Sequence, residues 1–380
     1  MARKDGLDWE GLLKWTLAHS DGTGTARNLS EEDRKWFMEA MQSQRVDAIQ
    51  RMKEITLVMK TPDDVLLSQG VTTDDLEGML DELQEHVESI DMANDLHSIG
   101  GLNPLLNYLK SSHDNVRAKA AEVVSTIVQN NPRSQQLVME EKGLEPLLIN
   151  FMSDPNVSVR TKSLGAIASL IRHNKAGIIA FRLGNGYAGL RDALASQDVR
   201  FQRKALNLIH YLLTENSSDC SAFDELGSHR TLLHLSSSED AGVREAALKN
   251  VLELGRHRRD NGKLLIDEDD VKLREVLEDR MKSISHMSVD DLLAAKEERQ
   301  LVDSIWTTFY EQPSLLREKG LLSVPGEDEP PPDVVSKHFE PSLRSLSASY
   351  PADKASVSEK PQVPLALGPP AGDDHVEGKR

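Results

Sequence analysis

Few residues of this 380-residue chain are of a type and spacing that could do chemistry. Gly184-Asn185-Gly186-Tyr187-Ala188-Gly189 has the spacing with which glycines let a backbone approach a pyrophosphate at a helix N-terminus. That use needs a strand before the motif, and the residues before it read as helix, so nucleotide binding is not expected. Asp21-Gly22-Thr23-Gly24-Thr25 is similar to a loop whose aspartate accepts a phosphoryl group, but Gly22 stands where such a loop carries lysine. His210, His229, His234 and His257 are dispersed without ligand spacing. The single cysteine, Cys220, can close no intramolecular disulfide and suits a reducing compartment. No Ser/His/Asp or Cys/His grouping assembles. The expectation is a protein that is not an enzyme and uses no cofactor or metal.

What recurs instead is charge. Arg117, Lys119, Arg160, Lys162, Arg203, Lys204 and Arg244 form a basic row, with Asn130-Asn131, Arg172-His173-Asn174 and Glu215-Asn216 beside it. A row is useful only if the elements that carry it lie side by side. The sequence supplies them as an internal repeat. Gly101-Leu102-Asn103-Pro104-Leu105-Leu106 returns as Gly143-Leu144-Glu145-Pro146-Leu147-Leu148, then weakens to Gly186-Tyr187-Ala188-Gly189-Leu190 and Ser228-His229-Arg230-Thr231-Leu232-Leu233, at a period of about 42. A second register repeats with it: Lys119, Lys162 and Lys204 each open a segment with apolar residues four and eight places on. Val123 and Ile127, Ala166 and Leu170, and Leu208 and Leu212 thus mark one helical face, and Arg244, Leu248 and Leu252 follow loosely in the fourth unit. A short helix in each unit, such as 134 to 142 or 175 to 183, makes three per period. That predicts an all-α, armadillo-repeat, right-handed superhelical solenoid whose stacked units bury jointly what one unit cannot, leaving a concave groove.

The expected organisation is an amphipathic helix and flexible loop over 1–29, a helical cap over 30–90, four repeats over 91–260, C-terminal helices over 261–320 and a Pro- and Ser-rich disordered tail over 321–380. Ser30 and Asp33 read as a capping box opening a helix that Pro62 closes. The C-terminal helices are expected at 264–285 and 288–311. No Lys or Arg lies between Thr61 and Leu109, where eleven acidic residues stand, so the cap should be an acidic end of the rod. Aromatic residues at 4% favour helices over β-sandwiches. A net charge of -17 argues against nucleic acid as partner. No apolar run is long enough for a membrane span, and the start lacks a signal-peptide pattern. The expected location is the cytosol, with the nucleus left open, and the expected state is a monomer.

Four stretches carry a family resemblance: Leu12-Leu13-Lys14-Trp15-Thr16-Leu17-Ala18-His19-Ser20-Asp21-Gly22, Glu88-Ser89-Ile90-Asp91-Met92-Ala93-Asn94, Val128-Gln129-Asn130-Asn131, and Val159-Arg160-Thr161-Lys162 followed by Leu170-Ile171-Arg172. The chain resembles the Fes-type armadillo nucleotide exchange factors of the 70-kDa heat-shock chaperones, with plant members nearest. The resemblance runs to about residue 345. It implies a solenoid that wraps one lobe of the chaperone's ATPase domain, so that ADP leaves and ATP enters, without chemistry by the solenoid itself. It also implies that Ala93 and Lys204 touch the chaperone, with Asn131, Arg160 and Arg172 added from the shared stretches. With the basic row and the helix ends, the expected chaperone-binding set is Ala93, Asn94, Arg117, Lys119, Asn131, Arg160, Lys162, Arg172, Asn174, Arg203 and Lys204. Relatives carry a long glycine-rich N-terminal segment, whereas this chain has only His19 to Asn28, so client mimicry by residues 1 to 30 is not expected. Nor is the Asn-Trp clasp of nuclear-import receptors, because Trp9, Trp15, Trp36 and Trp306 all lie outside the repeats. Two alternatives stay open: a scaffold holding acidic linear peptides in the basic row, and an adaptor acting through the Pro-rich tail.

Overall fold

A set of left-handed residues recurs with the repeat and marks where its helices turn. In the computed structural model, which describes residues 31–216, 218–260 and 267–323, positive φ falls at Gly100, Lys142, Asn185 and Gly227. These four positions are one period apart, each just before the second helix of a unit. The next residue is Gly101, Gly143, Gly186 or Ser228. A Cβ at Gly101 would strike the Leu96 and Thr56 side chains, at Gly143 the Val138 side chain, and at Gly186 the ring of Phe181. Close approach, rather than backbone freedom, is what asks for glycine at these three.

Helices α1 (Glu31–Lys60), α2 (Asp63–Ser68) and α3 (Thr73–His86) precede the repeats. The first unit is α4 (Ile90–Ser98), α5 (Leu102–Tyr108) and α6 (Asp114–Val128); the second is α7 (Pro132–Glu140), α8 (Leu144–Ser153) and α9 (Val157–Ile171). The third is α10 (Lys175–Leu183), α11 (Gly186–Leu194) and α12 (Val199–Glu215), and the fourth α13 (Ser218–Glu225), α14 (His229–Leu235) and α15 (Ala241–Asp260). Then come α16 (Asp267–Ser285), α17 (Val289–Ala294), α18 (Lys296–Tyr310) and α19 (Leu315–Glu318). No strand occurs among the described residues. The long helices α3, α6, α9, α12, α15 and α18 each pack on the next, making a continuous ladder. A single buried core runs through the units, from Leu80 and Leu105 through Ile167 and Phe201 to Val251 and Ile305.

Polar groups stitch the layers. The fourth residue of each ladder helix reaches back to carbonyls of the turn before it. Arg117 donates to Ser111 (2.9 Å) and Ser112 (3.2 Å), Arg160 to Phe151 (3.0 Å), Gln202 to Leu194 (3.2 Å), and Arg244 to Ser238 (2.7 Å). Three of them also grip the following layer. Arg117 forms a bidentate pair with Asp154 (2.7 and 3.1 Å), Arg160 lies 4.8 Å over the Phe201 ring, and Arg244 forms a bidentate pair with Glu298 (both 2.8 Å). Between these, the Asn150 amide donates to the Leu109 carbonyl (2.8 Å) and Asn250 to that of Leu206 (3.0 Å). Asn131 and Asn174 cap α7 and α10 by accepting from Ser134 N (3.3 Å) and Gly177 N (3.1 Å).

Of the expected C-terminal helices the first is continuous over its described residues, as α16, and the second is interrupted: Ser288 caps α17 at Asp291 N (3.2 Å), and Ala295 divides it from α18. The capping box at Ser30 lies outside the described residues. One is present instead at Thr72 and Asp75, opening α3. Two carboxylates of the acidic cap are met by cations of α1, Asp95 by Arg45 (3.0 Å) and Glu82 by Arg51 (2.7 Å).

Glu298 is the deepest joint. Its side chain is 2% exposed and also accepts from Arg280 (2.7 Å). Burial alone would push this carboxyl up, but Arg244 and Arg280 outweigh it and hold it below the usual range. Burial likewise opposes the hydrogen bonds of Arg317 and Ser314 at Asp303, which nevertheless stays low. Both groups contribute stability that is present above the unfolded carboxylate pKa, about 4, and lost as pH falls through the folded value. We therefore expect unfolding by urea to show a stability decline below about pH 5, shallower in Glu298→Gln. At pH 7 that variant should lose about 3–5 kcal/mol, because two buried guanidinium groups lose their counter-charge. Gly186→Ala should cost about 1–3 kcal/mol in the same measurement, because the buried Phe181 ring must move.

Candidate functional site

The ladder helices show the same positions side by side. Lys119, Lys162 and Lys204 each occupy the sixth residue of their helix, and Glu122, Gly165, Asn207 and Lys249 the ninth. Electrostatics along this row is directional. Lys119 pairs with Asp81 of α3 and lies 3.6 Å from Glu122. Glu122 in turn holds Lys162 of the next layer (2.5 Å). The hydrogen bond to Asp81 is the main cause that raises the Lys119 ammonium pKa. At the fourth ladder helix Lys249 pairs with Glu297 (2.5 Å). Lys204 stands between these pairs without an ion-pair partner among the described residues.

Although the Lys204 side chain is exposed by area, enough protein crowds around it to matter. Desolvation first, then the charge of Lys162, push its pKa down, and Glu122 only partly opposes them. Its Nζ lies 2.8 Å from where a Cβ on Gly165 would be. A groove of about 460 Å³ opens here between α9 and α12, lined by Ser158, Thr161, Lys162, Asp198, Arg203 and Lys204 among others. The Asp198 carboxylate is committed to the α12 cap, accepting from Phe201 N at 2.7 Å. The groove is thus cationic, suited to a carboxylate or another anion, and holds no group arranged for bond-making.

The other expected site residues divide sharply. Ala93 is 3% exposed within the core and Asn131 is 3% exposed, so packing leaves little of either side chain for a partner to touch. Asn131 and Ser134 both donate to Asn94 Oδ1 (3.3 and 3.2 Å), so Asn94 joins α4 to α7. Arg117 and Arg160 serve the layer joints described above, as does Arg244, which the basic row had placed with them. Arg203 does not belong to that column: Gln202 does, and Arg203 lies exposed against Gly242. Asn174 is a cap. Arg172 is exposed at the end of α9, its guanidinium 4.6 Å over the Tyr211 ring. The ladder face therefore gathers Lys119, Lys162, Arg203 and Lys204. Sequence reasoning missed Glu122, Gly165 and Asp81, although the ninth-position column could have been counted from the lysines.

The glycine motif is a packing feature. Asn185 precedes α11 in the left-handed region, and a Cβ at Gly189 would meet the Phe151 ring and Met152. A helix, α10, precedes the motif instead of a strand. Among the described residues no group of three or more His, Cys, Asp and Glu is placed to hold a metal ion. No described helix is long and apolar enough to cross a membrane.

Comparison with known proteins bears on the same layers. The family model described as nucleotide exchange factor Fes1 matches residues 9–96, and that of the SIL1/FES1/HPBP1 C-terminal domain matches residues 92–230. A protein named Hsp70 nucleotide exchange factor FES1, from Mycosarcoma maydis, is 29% identical over 213 residues, 54% of this chain and 54% of its own length. Human Hsp70-binding protein 1 is 27% identical over 249 residues, 63% of this chain and 69% of its own. The chain thus spans about half the length of the first of these relatives. Among solved structures, a designed armadillo repeat protein in complex with the peptide (KR)4 is similar at TM-score 0.52 and 18% identity, over 68% of this chain and 99% of that one. A computationally designed armadillo protein for modular peptide recognition is similar at TM-score 0.52 and 19% identity, over 68% and 99%. At such identities these two show the armadillo fold alone. The two family matches meet inside α4 and run from residue 9 to residue 230, through all three layers that carry the lysine column, and on that continuity residues 9–230 belong to the Fes1/SIL1/HPBP1 family.

Proposed function

We propose that this chain is a co-chaperone: a nucleotide exchange factor that binds the ATPase domain of 70-kDa heat-shock chaperones and promotes ADP release, aiding client release and protein folding under heat stress. The observation that supports this most is the uninterrupted pair of family matches laid over one ladder of packed helices. The protein acts in the cytosol, by binding and not by catalysis. The ladder face carries the contact, with Lys204, Arg203, Lys162 and Arg172 as its exposed or half-exposed cations.

Thermodynamics limits how such a grip works. Whatever factor the protein takes from ADP affinity, ADP takes from the protein's own affinity, about 1.4 kcal/mol per tenfold. Tight binding alone ejects nothing; the ladder must prefer the nucleotide-free, opened chaperone. A second reading, a scaffold for acidic linear peptides, draws on the cationic groove between α9 and α12.

The two separate in one measurement. Stopped-flow release of labelled ADP from a purified 70-kDa chaperone should accelerate many-fold with this protein. Lys204→Glu, a change at an exposed side chain that leaves the fold intact, should cut that acceleration by about tenfold or more, as expected for reversing a charge-assisted contact. Release at the uncatalysed rate with the unaltered chain would leave the peptide scaffold as the surviving reading.

A further inference from the structure

Gly165 sits where a glycine ought not to be. It is the ninth of fifteen residues of α9, in the helix interior, where glycine costs about 1 kcal/mol relative to alanine. Its equivalents in the neighbouring ladder helices are Glu122, Asn207 and Lys249, all long or polar side chains on the same face. Core packing does not demand it. A Cβ there would meet the tip of Lys204 and no backbone or buried atom: Nζ at 2.8 Å and Cε at 4.0 Å. Gly143, Gly186 and Gly189 differ, since their missing side chains are replaced by Val138, Phe181 and Phe151.

The neighbouring charges say what the space is for. Along the ladder Asp81, Lys119, Glu122 and Lys162 are paired in sequence, so Lys162 has its carboxylate in Glu122 while Lys204 has none. A side chain like Glu122 at position 165 would pair with Lys204 in the same way and end its availability. With glycine there, the lysine lies across α9 beside the groove and keeps its charge for something outside the chain.

We propose that Gly165 is a positioning residue, which leaves Lys204 lying over α9 with an unspent ammonium so that it docks a carboxylate on the surface of the partner protein. This rests on the exchange-factor reading for the partner's identity. The carboxylate must come from a protein side chain at the rim of the opened ATPase domain, entering the groove beside Thr161 and Asn207.

The test uses the full chain and a purified 70-kDa chaperone, with Gly165→Ala, Lys204→Ala and the double variant. Gly165→Ala should melt at the same temperature as the parent or higher, since alanine favours the helix. It should nevertheless bind the nucleotide-free chaperone at least about fivefold more weakly, as displacement of one charged contact predicts. On the Lys204→Ala background it should cause no further loss, and both single variants should show a shallower salt dependence of affinity than the parent. Parent-like affinity of Gly165→Ala overturns the proposal. So does a loss that persists undiminished in the double variant, or an unchanged salt slope. A parent chain that leaves ADP release unaccelerated would instead bring down the exchange reading, and this proposal with it.

Discussion

No unit of this protein can stand by itself, because three short helices do not enclose a core. Each layer is completed by the next, and the joints are polar as well as apolar. The recurring device is a side chain at the fourth position of the ladder helix that serves two clients: the carbonyls of its own preceding turn and a group in the following layer. Spacing between layers is thereby fixed from both sides, and everything on the ladder face inherits its register from that joint. At the far end Glu298, with two arginines converging on it, ends the series by tying α15, α16 and α18 into one buried cluster.

Much of this was open to reading in the sequence, and the failures have physical causes. The period and the lysine column were visible because each lysine is followed at the same four- and eight-residue spacing by apolar residues. The arginine column was misaligned by one residue in the third unit. Arg203 resembles its supposed equivalents in type, whereas Gln202 does their work with an amide. Matching residues by chemistry alone could not see that a neutral side chain satisfies the same carbonyls. The burial of Ala93 and Asn131 was not legible for another reason. Family patterns mark positions that recur, and a buried alanine under α4 or a capping asparagine recurs for packing as surely as for contact. The acidic cap was read as uniform because Arg45 and Arg51, which neutralise two of its members, lie on α1, far away in sequence. Gly165 was passed over because one glycine inside a helix announces nothing until the lysine above it is placed.

The family matches end at residue 230, but the layers do not. α15 and α18 extend the ladder, and Lys249 with Glu297 continues the alternation of paired charge on its face. In the lysine column Lys204 is left without an ion-pair partner among the described residues. A surface that is mostly self-neutralised contributes little non-specific attraction, in keeping with the net charge of -17.

Because each ladder helix packs on the next, one repeat or about 42 residues further along within the four units, the described layers are joined by contacts of short sequence separation. Synthesis can therefore be matched by folding as it proceeds: each stretch of that length, on leaving the ribosome, finds its docking surface already present in the layer before it. The exception is Arg244, whose carboxylate partner Glu298 arrives 54 residues later. Until then the fourth layer carries a buried-to-be guanidinium without its counter-ion, and the arrival of α18 supplies it.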